Sequence, residues 1–137
     1  MKQEFFNLLI KTNGQKLYDF TSKTIDWIKK NDFQNGILNL NIQHTSASLI
    51  IQENADPDVQ TDLINYFKKL VPMDNSLYIH TVEGKDDMPA HIKSALTATS
   101  VNIPILDGKL GLGTWQGIFL WEHRRSVNTR KVLAHLA

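Results

Sequence analysis

The sequence has 137 residues, 42% hydrophobic and 21% charged, a length and balance that suit one ordinary soluble domain. With 15 basic and 14 acidic residues its net charge is +1, which excludes the basic excess of a nucleic-acid-binding protein. It has no cysteine, so disulfides are excluded and any metal site must use His, Asp, Glu or backbone oxygen.

The start is a strand over Glu4–Thr12, ended by the Asn13-Gly14 turn signal. Glu4 interrupts the early apolar run and no small-residue cleavage site follows, so it does not read as a signal peptide. No stretch approaches the roughly 18 apolar residues of a membrane span, so a cytoplasmic protein with no membrane partner is expected. Thr21–Asp32 reads as a helix capped by Thr21 or Ser22, with Ile25, Ile28 and Trp27 inward. In ILNLNIQH, Leu38, Leu40, Ile42 and His44 share one face. SASLIIQE loses this alternation, as expected of a strand covered on both sides or bent near Ser46. Asp56-Pro57 starts a helix that stops near Val71-Pro72. Residues 72–88 are loop-rich, with a short strand expected over 77–80. Asp87 before Pro89 signals a short helix with His91 in its first turn. VNIPIL is a strand, Asp107-Gly108 a turn, KLGLGTWQGIFLWEH one long strand and KVLAHLA the last strand. The whole chain, 1–137, is expected to be a single α+β domain of mainly antiparallel strands with two or three helices.

Five histidines are available: His44, His80, His91, His123 and His135. A histidine in a strand is usually a hydrogen-bonded structural residue. Here His44 ends an inward face, while His80 and His91 bracket TVEGKDDMPA. Neutral imidazoles gathered in one cleft suit zinc or a similar divalent ion, although the spacing matches no compact metal motif. Asp56 is explained as an N-cap, Asp58 by the helix dipole, and Asp87 is open to the N-cap explanation. Glu53 and Glu122 each end an apolar strand, where an ionised group is costly without a partner. Arg124 and Arg125 stand next to Glu122, so a structural salt bridge and a functional role are both open. GKLGLGTWQG is followed by a strand and is therefore no dinucleotide fingerprint. Trp115 and Gln116 beside it are open to core packing or to lining a ligand pocket. The two arginines have the shape to clamp a phosphate or carboxylate.

QHTSASLIIQEN-DP, EGKDDMPAHIKS and GTWQGIFLWEHR, in this order, closely resemble the YjbQ-like family of secondary thiamine-phosphate synthases. The resemblance covers essentially the whole chain. It implies a compact α+β fold, a homotrimer with clefts near subunit boundaries, and a site at His44, Glu53, Asn54, His80, His91, Trp115, Gln116, Glu122, His123 and Arg124. The activity it implies joins a pyrimidine methyl diphosphate to a thiazole phosphate with loss of pyrophosphate, as a secondary activity. Under that reading His44, His91 and Glu53 are catalytic, and His44, His80 and His91 bind a metal. Asn54, Lys85, Trp115, Gln116, Glu122, Arg124 and Arg125 hold the substrate, with Mg²⁺ entering on the diphosphate or Zn²⁺ at the histidines.

Two other classes stay open. One is a metal-dependent hydrolase of unknown natural substrate. The other is a non-enzymatic binder of a small phosphorylated metabolite. Extended chain at about 3.3 Å per residue sets His44 and Glu53 roughly 30 Å apart. Either the strand bends near Ser46, or Glu53 serves a neighbouring subunit.

Overall fold

The computed structural model describes residues 2–137. In chain order it has β1 (Glu4–Asn13), β2 (Lys16–Asp19), α1 (Thr21–Asn31), β3 (Gly36–Ile42), β4 (Ala47–Glu53) and α2 (Pro57–Leu70). A short 3-10 turn (Asn75–Leu77) and α3 (Asp87–Leu96) follow, then β5 (Ser100–Leu106), β6 (Lys109–Leu110), β7 (Gln116–Glu122) and β8 (Val127–Leu136). The strands form two antiparallel sheets, ordered β1-β8-β3-β5-β6 and β2-β7-β4. The α+β class with three helices agrees with the expectation. Among the described residues no helix is long and apolar enough to cross a membrane.

Period-2 patterning explains the larger sheet. Leu38, Leu40 and Ile42 of β3 face inward beside Leu8 and Ile10 of β1 and Val132, Ala134 and Leu136 of β8. They meet Ala47, Leu49, Ile118 and Leu120 of the smaller sheet and Trp27 and Ile28 of α1. Each such buried aliphatic side chain contributes about 1.5–3 kcal/mol. The other face of the smaller sheet, Leu17, Phe119 and Trp121, packs on Leu63, Ile64 and Phe67 of α2. β4 is therefore covered on both sides, which is why its sequence does not alternate. The chain also bends at Thr45–Ser46, where it leaves one sheet for the other.

Several boundaries differ from the sequence reading. No strand forms over 77–80: Asp74 accepts from the Ser76 amide and starts the 3-10 turn, and Ile79 stands fully exposed. The long strand expected over 109–123 is two strands in different sheets, because residues 111–115 cross between them. The last strand begins at Val127, and β2 is an additional strand. α1 is preceded by Phe20, with the Asp19 carboxylate accepting from the Thr21 amide at 2.9 Å, so neither Thr21 nor Ser22 caps it. Asp86, not Asp87, occupies the α3 N-cap position and gives no side-chain cap. The Asp56–Pro57 start of α2 is as expected, with the Asp56 carboxylate accepting from the Asp58 amide.

Candidate functional site

A polar cluster open to solvent is built by the turn at residues 83–86 and the first two turns of α3. Gly84 adopts φ +109°, a conformation that strains any residue with a Cβ, and its carbonyl accepts from the Asp87 amide at 3.2 Å. Asp87 and His91, four residues apart, share one face of α3. His80 arrives from the preceding loop. His80 Nε2 lies 2.8 Å from Asp87 Oδ2 and 3.1 Å from Glu83 Oε2, and His91 Nε2 lies 3.2 Å from Asp87 Oδ2.

These four donor atoms lie within 4.8 Å of one another. Ligands about 2.05 Å from a tetrahedral zinc are separated by roughly 3.3 Å, so the three short separations approach the edges of such a polyhedron. Two imidazoles with two carboxylates suit zinc or a similar borderline ion better than magnesium. The surroundings fit as well. His91 Nδ1 donates to the Thr45 carbonyl oxygen at 2.9 Å, which leaves the Nε2 lone pair aimed at the cluster. Arg124 Nη1 donates to Asp87 Oδ1, its Nε to Asp86 Oδ2 at 3.0 Å and its Nη2 to the Glu83 carbonyl at 2.9 Å. One guanidinium thus fixes three members of the turn.

Burial alone would raise the Asp87 carboxyl, but hydrogen bonding to His80 and the Arg124 charge outweigh it and hold it below its ordinary value. Hydrogen bonds to Asp87 and then Glu83 raise His80 above the usual histidine value. A cation entering the cluster therefore competes with the His80 proton.

His44 does not join the cluster. β3 ends two residues before it, and its Nε2 accepts from the Lys131 amide at 2.8 Å. That bond places the ring proton on Nδ1, so the 3.4 Å approach of Arg130 Nη1 is an unfavourable contact rather than a hydrogen bond. Burial, then Arg130, lowers its pKa. Of the set His44, His80 and His91 expected from the sequence, the structure brings His80 and His91 together with Glu83 and Asp87 and leaves His44 outside.

Glu122 is fully buried and pairs with Arg130, not with its neighbours Arg124 and Arg125. Arg130 Nε donates to Glu122 Oε1 at 2.7 Å, and the Thr12 hydroxyl donates to the same oxygen at 2.6 Å. The salt bridge left open by the sequence is thus present, with Arg130 rather than Arg124 or Arg125 as its partner. Arg124 is likewise committed to Asp86 and Asp87, while Arg125 and Lys85 stay exposed at the rim.

Glu53, Asn54, Trp115 and Gln116 collect elsewhere. The register pairs Ala47 with Glu122 and Glu53 with Gln116, so the two ends of β4 are about 20 Å apart. The bend at Thr45–Ser46 does not bring Glu53 back to the cluster. Glu53 Oε2 accepts from the Asp56 amide at 3.3 Å, Asn54 donates its amide to the Trp115 carbonyl at 2.9 Å, and Gln116 accepts from the Gly113 amide at 2.7 Å. Trp115 is 62% exposed and lines no core. A surface groove of about 560 Å³ is lined by residues of β1, β2 and α1 and includes none of the cluster residues.

Sequence reasoning missed Glu83 and Asp87 as members of this cluster, and Arg130 altogether. Asp-x-x-x-His was the available signal for Asp87, and the inward phase of Val132, Ala134 and Leu136 extended backward reaches Arg130.

Comparison with known proteins bears on the fold and the family. The UPF0047 protein YjbQ-like family model matches residues 7–137. A UPF0047 protein of Synechocystis sp. is 55% identical over 130 residues, covering 95% of this chain and 88% of its own. The UPF0047 protein YjbQ of Salmonella typhimurium is 50% identical over 103 residues, 75% of this chain and 74% of its own. The crystal structure of an uncharacterised conserved protein of the yjbq/upf0047 family from Clostridium acetobutylicum superposes with a TM-score of 0.87 at 34% identity. It covers 96% of this chain and 99% of its own. Matched along residues 7–137 and by relatives of this identity, the chain belongs to the UPF0047 family of YjbQ-like proteins.

Proposed function

We propose that the protein is a divalent-metal-dependent enzyme acting on a small phosphorylated molecule, with His80, Glu83, Asp87 and His91 holding the ion. The observation that carries this reading is the convergence of two Nε2 atoms on Asp87 Oδ2, with the far side of His91 fixed by Thr45. When bound, the ion supplies Lewis-acid polarisation of a phosphoryl oxygen and a lowered pKa for water. Asp87 orients the His80 imidazole, the Thr45 carbonyl orients that of His91, Arg124 holds Asp87, and exposed Lys85 and Arg125 offer positive charge to an approaching phosphate.

Transfer of the pyrimidinylmethyl group from its diphosphate to the ring nitrogen of the thiazole phosphate, breaking its C–O bond and releasing pyrophosphate, is the second reading. Lys85 supports it: this exposed cation stands in the same turn as Glu83, and a cation beside the cluster would stabilise the charge of a leaving diphosphate. A homotrimer fits either reading, because α2 has no buried residue and Tyr66, Leu70, Leu77, Ile79 and Val82 are bare around the ligand loop.

The test uses metal-stripped protein reloaded with Zn²⁺, Mn²⁺ or Mg²⁺. It is assayed for phosphate release from phosphomonoesters and for pyrophosphate release from the two thiamine-phosphate precursors. Metal-restored turnover that disappears in Asp87→Asn supports an enzyme, and the active substrate pair separates the two reactions. Equal turnover with and without metal would contradict the metal-dependent reading.

A further inference from the structure

β1 is the outermost strand of the larger sheet, with β8 on one side only. Leu9 lies opposite Lys131, whose amide donates to His44 Nε2 and whose carbonyl accepts from the Gln43 amide at 3.1 Å. Lys131 thus turns both backbone groups away from β1. Residues facing each other across an antiparallel pair alternate between bonded and non-bonded. Asn7, Leu9 and Lys11 therefore turn their N–H and C=O groups to the open edge rather than to β8. Two contacts agree with that phase. Lys23 Nζ donates to the Leu9 carbonyl at 3.0 Å, and the Asn13 amide donates to the Tyr18 hydroxyl at 2.7 Å.

The open edge runs beside α1. Lys23, Asp26, Trp27 and Lys30 recur at helical spacing on one side of α1 and border a groove of about 450 Å³ that Leu8 of β1 also lines. The groove of about 560 Å³ adjoins it, because both include Leu9 and Lys23, and Ile10 lines this second groove. Leu8 and Ile10 are two residues apart on the strand, about 6.8 Å, which is also the spacing of alternate side chains on an added strand.

We propose that an extended acidic segment of a partner protein docks between β1 and α1, adding a strand to the open edge and setting alternate apolar side chains in the two grooves. A strand supplies the row of N–H and C=O groups that Asn7, Leu9 and Lys11 leave open. The Lys23 ammonium stands on the Leu9 carbonyl where a partner's N–H would donate. Charge selects among strands. Lys11, Lys23 and Lys30 outnumber Asp19 and Asp26 along the grooves, so carboxylates between the apolar positions are favoured. A second copy's β1 would bring its own Lys11 and Lys23 to the same edge, a like-charge arrangement that an acidic partner avoids. Neither groove includes a residue of the His80 cluster, so docking does not depend on a metal being there.

The test titrates the capped peptide acetyl-EVEVE-amide into ¹⁵N-labelled full-length protein, with acetyl-KVKVK-amide and a fully N-methylated EVEVE peptide as controls. The acidic peptide is expected to saturate, to shift the amide resonances of Asn7, Leu9 and Lys11 and to slow their hydrogen exchange. The basic peptide should bind at least tenfold more weakly, and the N-methylated one, which cannot donate to an edge, should leave these amides unmoved. Asn7→Pro removes an amide that β8 does not use and should weaken binding at least tenfold at a near wild-type melting temperature. Exposed Lys30→Glu, a safe variant for folding, should weaken it several-fold. Both variants should keep the wild-type metal content, so failure of the metal site and failure of the docking edge are separable. No saturable shift in wild type, shifts confined to residues away from β1, or wild-type affinity in both variants overturns the proposal. Self-association of the wild type that Asn7→Pro abolishes also overturns it, by giving the edge to a second copy.

Discussion

His91 Nδ1 donates to the carbonyl oxygen of Thr45, the residue at the bend between the two sheets. The bond couples α3 to the β3–β4 connection and fixes which imidazole nitrogen stays free. The bend in the backbone thereby sets the tautomer of a candidate metal ligand.

Arg124 acts on the cluster through Asp87 rather than by touching an ion. Arg124→Met should leave all four ligands in place and weaken divalent-cation affinity by roughly 10–100-fold. Competition with a chromophoric chelator reads this directly. Unchanged affinity would remove Arg124 from the site.

Glu122 and Arg130 form a sealed ion pair with Thr12 and Ser46 around it. Arg130→Met leaves an uncompensated buried carboxylate and should cost about 3–5 kcal/mol of stability. The double variant Glu122→Leu with Arg130→Met should recover much of that loss. Urea unfolding of the two variants checks the expectation, and equal losses in both would contradict it.

His123 gives stability a pH dependence. Burial, then Lys93 and Arg130, pushes its pKa down from 6.5 to about 3. Its folded value is depressed, so the unfolded chain binds the proton more readily. Its contribution is fully present above pH 6.5 and is lost as pH falls toward 3, by up to about 5 kcal/mol. Urea midpoints measured between pH 7 and 4 should fall less steeply in His123→Gln than in wild type. Parallel slopes would show that another group carries the acid sensitivity.

Glu53 lies at the end of β4 away from the cluster. Glu53→Ala should keep the wild-type metal content and lose only the 3.3 Å contact to the Asp56 amide at the start of α2. Loss of metal in this variant would mean that a neighbouring subunit brings Glu53 to the ion.

Most of the fold is legible where one physical rule acts alone. The inward run of Leu38, Leu40 and Ile42 and the Asp56-Pro57 start are both plain in the sequence. Reading fails where tertiary partners decide. A strand pattern over 109–123 hides a crossing between sheets, and VNTR reads as a polar loop although Arg130 is inward beside Glu122. His80 and His91 were recognisable from their spacing around the Gly84 turn. His44 looked equivalent because it continues the inward phase of β3, but the strand stops at Ile42 and the ring turns to the Lys131 amide.

The most direct measurement is the metal content per chain of untagged protein purified without chelator, for wild type and the His44→Ala, His80→Ala and Asp87→Asn variants. About one zinc-like ion per chain is expected in wild type and in His44→Ala, and little or none in the other two. A metal-free wild type, or an ion lost in His44→Ala but kept in Asp87→Asn, would contradict the assignment of the cluster.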